Sequence, residues 1–567
     1  MKQWEAYITE KALLKRLCRW RASIARKRDP EIRLSALVRW GQCPLSERDE
    51  FIQKLLPPRR QWIRLGFRER KEAGEARVLE KTIFRSAIRI LNNEISEGQE
   101  WIENFRRLVS EVDKIRAAET VTFHSPTIHL VPKGDGRSCR CLASFDYPAE
   151  RLLLSQAATY LRDVFDPIME DCSYAFRKDC AYSYKSAIDE LIRYRRKHMG
   201  EQLYVAECDI QSFFDVIDHR IIEIAYDGFV QQLPEMERPD PELKKILKGY
   251  LHCFTSRGNL HASKDERIVS RRHLVKSLEE TTVGRFYPGQ NLSDVKLGIP
   301  QGGALSPLIA NLVLHSADRA IGPESDDQLL YLRFCDDVII VHTDRDKCKK
   351  ALERYMNALE MLKLPIHPLR RRVCYGQDYY NLKSKGPFVW AEPNGKQKSA
   401  IPWVSFLGVH VRYDGAVRIR QSSLKKHEDR LKIELRRYKD AVGKECCNLK
   451  DSSEKAREHL LRAFEARIVA MGVGYSTMRH PDIGVHCWAA AFPAMTGDGP
   501  AARQLRKLDS ARGHIVSAFK KKLGFKPGPL PSGRKGYYGR PYSYYGILTD
   551  TERHASYPHN PYSYGEW

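Results

Sequence analysis

Two adjacent aspartates between two apolar runs constrain this chain more than any other feature. The stretch Tyr331–Val341 reads YLRFCDDVIIV, and both flanks are rich in β-branched and aromatic residues. Such runs around a short polar pair predict a strand, a tight turn and a second strand. Two carboxylates held at one turn repel each other unless a cation lies between them, and Mg²⁺ favours oxygen ligands of this kind. A solvated surface turn is the alternative, because Asp is common in turns.

Two further stretches favour the metal site. Tyr204–Asp215 reads YVAECDIQSFFD, a strand-like run that ends at Asp209, and Leu297–Asn311 reads LGIPQGGALSPLIAN, a Gly-Gly turn that opens an apolar helix. The order of these phrases resembles that of reverse transcriptases, and the wording is most similar to the bacterial group II intron and retron-like branch. The family phrases run roughly DIKSFFDNIDH, GxPQGGxLSP and YxDD. Phe334 stands where the family usually has Tyr, a change that keeps both acids.

The resemblance implies an α+β fold, the right-hand polymerase. Such a fold has fingers, a palm with an antiparallel sheet and a helical thumb, here with helical N- and C-terminal extensions. Prolines at 30, 44, 57 and 58 predict that the N-terminal extension is divided into short helices. We therefore expect a basic helical extension at 1–120, fingers and palm at 121–405, a primer grip and helical thumb at 406–475, a helical element at 476–525 and a Tyr/Gly/Pro-rich tail at 526–567.

The resemblance also assigns the catalytic roles. Asp209 and Asp336 are expected to ligate two Mg²⁺ ions, with Mn²⁺ as the alternative, while Asp337 supports the site. The Ile210 carbonyl is expected to complete a metal shell. One metal would lower the pKa of the attacking hydroxyl, and the other would hold the triphosphate and the leaving pyrophosphate.

Further positions match family residues around the nucleotide. Phe214 lies where the family packs a side chain under the sugar, so a bulky ring predicts use of dNTPs over NTPs. Gln301 is expected to help hold nucleotide and template, and plain palm packing is the alternative for both residues. The remaining substrate-binding expectations are Lys133 and Arg140, which match a fingers phrase that neutralises the triphosphate, and Arg177, a template or nucleotide contact in a phrase similar to SYGFRPG.

Two phrases after the aspartate pair extend the resemblance. The run LPIHPLRRRVC is similar to LxLHPxKT, and Arg370 falls where related enzymes place a lysine thought to protonate pyrophosphate. Arginine is a poor proton donor at neutral pH, so this role is doubtful for Arg370. Phe406–Gly408 reads FLG and matches the primer-grip hairpin.

The charge distribution predicts a polyanionic partner. Residues 1–120 carry 27 Lys and Arg against 18 Asp and Glu, and residues 412–540 carry 28 against 13, so these two flanks account for the whole net charge of +24. Basic flanks around a near-neutral centre suit a structured non-coding RNA template, with dNTPs as substrates and cDNA as product. A generally basic soluble surface, or a helical scaffold at 1–120, is the alternative.

Missing features narrow the subtype. The 14 cysteines include no C-x-x-C pair, which excludes the zinc-bearing endonuclease of many intron maturases, and the VTG phrase of retron enzymes is also missing. The chain is thus most similar to defence-associated bacterial reverse transcriptases of the unknown groups. The alternatives are an endonuclease-free maturase and an RNA-binding scaffold with a decayed site, although three intact acids argue against decay. Without an apparent signal peptide or a run of about 18 apolar residues, we expect a bacterial cytoplasmic protein with no membrane contact.

The C-terminal tail is compositionally distinct. From Lys526 onward Pro, Gly, Ser and Tyr dominate, and the phrase RPYSYYG at 540–546 is echoed by NPYSYG at 560–565. Such a segment is not expected to build a core alone. A tyrosine hydroxyl can act as a nucleophile, so the tail offers a protein primer, with a stacking platform or a contact to a second copy or another protein as alternatives. The priming candidates are Tyr537, Tyr538, Tyr542, Tyr544, Tyr545, Tyr557, Tyr562 and Tyr564.

Overall fold

The fold is built around a sheet in the middle of the chain, as the computed structural model shows. Its strands lie in the order β4-β5-β3-β7-β6, and all neighbours are antiparallel except β6 and β7. This arrangement confirms the expected palm sheet and the hairpin around the aspartate pair. The strands are β3 (Leu203–Cys208), β4 (Leu329–Phe334), β5 (Asp337–His342), β6 (Leu369–Arg370) and β7 (Ser384–Trp390).

The description covers most of the chain. It comprises residues 3–37, 47–66, 68–70, 75–92, 99–132, 139–179, 181–256, 258, 278–291, 293–321, 328–376, 378–393, 400–443, 454–479, 499–526 and 542–548.

The palm sheet separates two hydrophobic cores, because alternate side chains of a strand point to opposite faces. Val338 and Ile340 of β5 belong to one core, whereas Ile339 and Val341 belong to the other. With both faces covered, β5 reads as a continuous apolar run rather than an alternating one. The helix Arg345–Met361 packs on the first face, against β3 and β5.

Helices dominate the regions around the palm. The helix Glu10–Leu37 runs through Pro30, so the prediction that this proline ends a short helix is wrong. The other helices with four or more residues in the described chain are Glu5–Ile8, Glu47–Lys54, Glu75–Asn92, Glu100–Ala117, Pro148–Phe165, Tyr184–Lys197, Phe213–Val216, His219–Gln232, Glu242–His252, Ser306–Ile321, Arg345–Met361, Gln421–Gly443, Glu454–Arg479, Pro500–Lys522 and Tyr544–Leu548.

Two small antiparallel sheets flank the palm. The strands β1 (Thr127–Pro132) and β2 (Cys139–Ser144) form a hairpin on the N-terminal side. On the C-terminal side, β8 (Trp403–Phe406), β9 (Val409–Arg412) and β10 (Val417–Ile419) form a three-stranded sheet, and the phrase FLG lies at its first turn.

The C-terminal helices enclose a third core. Leu431, Phe464 and Phe519 come from three long helices and are fully buried together. The short helix Tyr544–Leu548 packs against the helix Pro500–Lys522, although the composition of the tail predicted no packed structure. No helix among the described residues has the length and apolar character needed to span a membrane.

Candidate active site

A two-residue turn presents the aspartate pair. Phe334 pairs with Asp337, so Cys335 and Asp336 alone connect β4 to β5. Cys335 has a φ of 60°, a left-handed conformation that is uncommon outside glycine. The Arg333 guanidinium donates a hydrogen bond of 3.2 Å to the Cys335 carbonyl and helps to stabilise this turn.

A buried ion pair fixes the hairpin to the palm helix Ser306–Ile321. Arg333 donates through Nε and Nη2 to the two carboxylate oxygens of Asp318, at 2.7 and 2.6 Å, and both side chains are only 1% exposed. The Tyr331 hydroxyl donates to the same carboxylate at 2.8 Å. Bidentate charge-assisted bonds of this kind set position as well as adding stability. The turn below the aspartates is therefore held rigidly.

The third acid lies beside this hairpin. Strand β3 pairs with β5 through Cys208 and Val338, and the same register places Asp209 opposite Asp337. Residues directly opposite in an antiparallel pair have Cβ atoms about 5 Å apart. The structure thus brings together Asp209, Asp336 and Asp337, the three acids that the sequence motifs predicted.

The pKa values record the crowding of these acids. Desolvation and the charge of Asp209 raise the pKa of Asp336. Desolvation and the charges of Asp336 and Asp209 raise the pKa of Asp337 to about 7, although its side chain still reaches solvent. An acid that is surrounded by protein yet accessible is the situation of a cleft. The cluster thus repels its own charge and favours a cation.

Lys383 is a fourth member of the site that the sequence analysis missed. Its Nζ donates to Asp209 Oδ2 at 2.9 Å. Burial works against its charge, but the Asp209 hydrogen bond and the three carboxylates outweigh burial and raise the pKa of Lys383. The signal was a lysine immediately before a strand, but only the pairing of β7 with β3 places it at the acids. Arg370, considered for a lysine role, lies instead on the short strand β6 with an exposed side chain.

The acidic cluster fits a divalent cation by its donor chemistry. Among the described residues no three His, Cys, Asp or Glu side chains stand in a metal-holding arrangement, because like charges stay apart while the Lys383 ammonium neutralises Asp209. Three hard oxygen donors with mutually raised pKa values nevertheless match what Mg²⁺ binds. The Lys383 ammonium is then a stand-in for the cation.

The backbone next to Asp209 is shaped for the same site. Ile210 forms an antiparallel bridge with Ile366, whose hydrogen bonds run from His367 N to the Asp209 carbonyl and from Gln211 N to the Pro365 carbonyl. Neither bond uses the Ile210 carbonyl, the oxygen expected to complete a metal shell.

Phe214 follows Asp209 on a short helix. Ser212, with a φ of 53°, turns the chain into the helix Phe213–Val216. The Phe214 ring is half-buried and lies 5.3 Å from the Phe213 ring. Its carbonyl accepts a hydrogen bond from Ile299 N at 2.8 Å, which ties it to the glycine-rich turn.

The glycine-rich turn connects palm and fingers. The Gln301 carbonyl accepts from Ala143 N of β2 at 2.7 Å. Gly303 is required sterically, because a Cβ there would lie 1.8 Å from the Tyr250 hydroxyl. Gln301 is thereby held between two elements, with its side chain partly exposed.

The expected substrate residues of the fingers have different outcomes. Arg140 lies on β2 opposite Val131 and is exposed, whereas Lys133 lies outside the described residues. The prediction for Arg177 is wrong in this structure. Its side chain is 4% exposed, and it donates to the Asp166 carboxylate at 2.7 Å and to backbone carbonyls including that of Glu170. An arginine with its donors spent inside the protein pins a loop and does not reach a nucleotide.

The tyrosines of the tail are also separated by the structure. Tyr544 is fully buried and its hydroxyl bonds to His427, so in this arrangement it cannot act as a primer. Tyr542 and Tyr545 are partly buried beside it, and the Tyr545 hydroxyl accepts from Arg506 at 2.7 Å. The candidates Tyr537, Tyr538, Tyr557, Tyr562 and Tyr564 lie outside the described residues.

Comparison with known proteins places the site in a known family of domains. Residues 131–411 match the family model described as reverse transcriptase (RNA-dependent DNA polymerase). This chain therefore contains a reverse transcriptase domain, and the three acids lie within it.

Individual relatives are distant. The group II intron-encoded protein LtrA of Lactococcus lactis subsp. cremoris is 25% identical over 173 residues, which cover 30% of this chain and 21% of LtrA. The match thus spans about a fifth of the length of this curated relative. Among solved structures, apo telomerase from Candida tropicalis gives a TM-score of 0.35 at 13% identity, covering 89% of this chain and 78% of that one. Telomerase from Candida albicans with a fragment of telomeric RNA gives 0.32 at 13% identity, covering 80% and 73%.

Proposed function

We propose that the protein is an RNA-directed DNA polymerase. The observation that carries this proposal is the convergence of Asp209, Asp336 and Asp337 at the end of the palm sheet, within the reverse transcriptase domain. Asp209 and Asp336 would hold two Mg²⁺ ions, supported by Asp337 and the Ile210 carbonyl. When bound, these ions supply activation of the attacking hydroxyl and charge neutralisation at the phosphates.

The chain's own residues prepare this chemistry. Arg333 and Asp318 hold the aspartate turn in place, so the acids keep their geometry while charge builds up between them. Lys383 supplies a positive charge at Asp209 and must give way, or turn toward a phosphate, when a cation arrives. Phe214 and Gln301 border the same cleft from the neighbouring turn and are proposed to position sugar and template.

A matched pair of variants tests this activity. Asp336→Asn removes one negative oxygen donor with almost no change in size, and Asp346→Asn makes the same change at an exposed helix position. On an RNA template with a DNA primer, Asp336→Asn should reduce Mg²⁺-dependent dNTP incorporation by at least about 100-fold, as expected when charge stabilisation of the transition state is lost. Asp346→Asn should incorporate at the wild-type rate. Near wild-type extension by Asp336→Asn would contradict the proposal.

We further propose a cytoplasmic role in bacterial antiphage defence with an associated structured RNA. The motif wording and the excess basic charge of the flanks support it. An endonuclease-free group II intron maturase is the competing function. Sequencing the nucleic acid that co-purifies with the protein separates them, because a maturase retains its intron RNA. Recovery of intron sequence alone would contradict the defence role.

Protein priming by the tail is proposed for its tyrosines other than Tyr544. The support is a chain of hydroxyl groups beyond the docked helix Tyr544–Leu548. Digestion of the DNA product followed by mass spectrometry should find a nucleotide on a tyrosine of 536–567. A product with a free 5′ end would contradict priming.

A further inference from the structure

The sheet β8-β9-β10 has one apolar and one basic face. Because side chains alternate along a strand, one face faces the core and the other faces away from it. The core face carries Val404, Phe406, Val409, Val411, Val417 and Ile419, all buried. The opposite face, termed here the arginine face, carries Trp403, Ser405, His410, Arg412 and Arg418.

The arginine face is ordered around Arg418. Its guanidinium carbon lies 4.1 Å from the centre of the Trp403 ring. Its Nε donates to His410 Nδ1 at 3.1 Å, and its Nη2 donates to the Tyr380 hydroxyl at 3.1 Å. Burial together with Arg418 and Arg420 lowers the pKa of His410 to about 3, which keeps this ring neutral and able to accept. The guanidinium is thus held flat over an aromatic ring.

The segment 371–383 adds exposed rings to this face. Tyr380 stacks on His410, with ring centres 4.5 Å apart and planes 12° apart. Tyr375 meets Tyr380 edge to face at 6.3 Å. Tyr375 is 42% exposed and Tyr380 is 37% exposed, and the exposed residues Arg371 and Arg372 precede them. Aromatic rings of this size seldom stay on a surface unless they have something to contact.

This surface adjoins the catalytic acids. Arg420 follows Arg418 by two residues and therefore points to the same side. Arg420 is close enough for its charge to act on Asp337, where it partly offsets the desolvation that raises the pKa of that carboxyl. On the other side, Lys385 contacts the Tyr379 ring at 4.9 Å and pairs with Glu207, two residues before Asp209.

We infer that Tyr375, Tyr380, Arg412 and Arg418 bind the unpaired end of the nucleic-acid strand that is extended. Tyrosine rings offer stacking surfaces to bases, and arginines offer charge to the phosphates between them, a combination typical of single-strand binding. A base-paired duplex hides the faces of its bases and cannot use the rings in this way. The assignment rests on the proposed polymerase function, because it gives the strand a path to the acids.

Two substitutions at one exposed position test the surface. Tyr375→Leu removes the ring and Tyr375→Phe keeps it, and both leave the buried Tyr379 in place. The probe is a fluorescein-labelled oligothymidylate of about 20 nucleotides, measured by anisotropy without dNTPs. Tyr375→Leu should weaken binding by about 5- to 100-fold, the loss of one stacked base, while Tyr375→Phe should bind within about twofold of wild type. A blunt duplex of equal length should lose far less.

The outcomes separate this surface from the polymerase itself. Wild-type binding by Tyr375→Leu, or equal losses for single strand and duplex, would overturn the stacking surface while primer extension could still succeed. If the wild-type protein extends no primer but the single-strand effect holds, the polymerase proposal fails and the surface stands. Equal thermal midpoints of the two Tyr375 variants exclude misfolding as the cause.

Discussion

The aspartate hairpin of the palm and the tyrosine helix of the tail stand out equally in the sequence, but their environments are opposite. Asp336 and Asp337 lie together with Asp209, and desolvation and mutual repulsion raise the pKa of both residues of the hairpin. Tyr544 is buried with its hydroxyl bonded to His427. The hairpin is thus an unfavourable arrangement that needs a cation, whereas the tyrosine helix is already complete.

The tail shows how completeness is reached. Asp509 accepts hydrogen bonds from the Ser543 hydroxyl and from the backbone N–H groups of Tyr544 and Tyr545, at 2.7 to 3.0 Å. The groups at the start of this short helix therefore have partners within the protein. The comparison indicates that chemistry belongs where the fold leaves charge uncompensated, and stability where it does not.

The largest expected effect comes from the ion pair that supports the hairpin. Arg333→Met would leave Asp318 buried without its partner, which should lower the free energy of unfolding by about 3–5 kcal/mol. Urea denaturation measures this change. Arg319→Met, one residue from Asp318 but exposed, is the control and should cost less than about 0.5 kcal/mol. Equal midpoints for the two variants would show that the hairpin does not depend on this pair.

A second effect concerns the selectivity of the site and rests on Phe214. Phe214→Ala removes the proposed barrier under the sugar, so discrimination against NTPs should fall by about tenfold or more. Competing incorporation of a dNTP and the matching NTP measures it, and Phe214→Tyr keeps the bulk as a control. Unchanged discrimination in Phe214→Ala would assign the gate to another residue.

A third, smaller effect follows from His427. Burial and the charge of Arg430 lower the pKa of His427 to about 4, below its ordinary value of about 6.5. The unfolded chain therefore takes up a proton first, and stability is lost as the pH falls from about 6.5 toward 4. Between pH 7 and 5 the wild type should lose about 1–2 kcal/mol more than His427→Gln. Parallel pH profiles would mean that His427 is not held neutral.

The smallest effect tests the completeness of the tail directly. Tyr544→Phe removes the bond to His427 and should cost about 1 kcal/mol of stability while DNA synthesis starts normally. Tyr545→Phe, which loses a bond to the exposed Arg506, should cost less. Failure of Tyr544→Phe to start synthesis at unchanged stability would reverse the comparison and give Tyr544 a chemical role.

The palm could be predicted because its motifs are local. The strand–turn–strand pattern at Tyr331–Val341, the acid after β3 and the glycine turn each follow from a few adjacent residues. Lys383 could not be predicted, since only the pairing of β7 with β3 brings it to Asp209. Arg177 was misassigned because a sequence does not show which carbonyls surround a side chain.

The remaining misses have the same physical origin. The helix through Pro30 persists because tertiary packing outweighs the single hydrogen bond that a proline removes. The tyrosine helix forms because Asp509, on a distant helix, supplies the acceptor that its own sequence lacks. Both outcomes depend on contacts between segments far apart in the chain.

Manganese binding tests the central claim most directly, since it asks whether the three acids hold a cation. Electron paramagnetic resonance should detect Mn²⁺ bound to the full-length protein with template, primer and a dNTP. Asp336→Asn should lose most of this signal, while Asp346→Asn should keep it. Equal Mn²⁺ binding by Asp336→Asn and the wild type would contradict the assignment of the palm acids as the metal site.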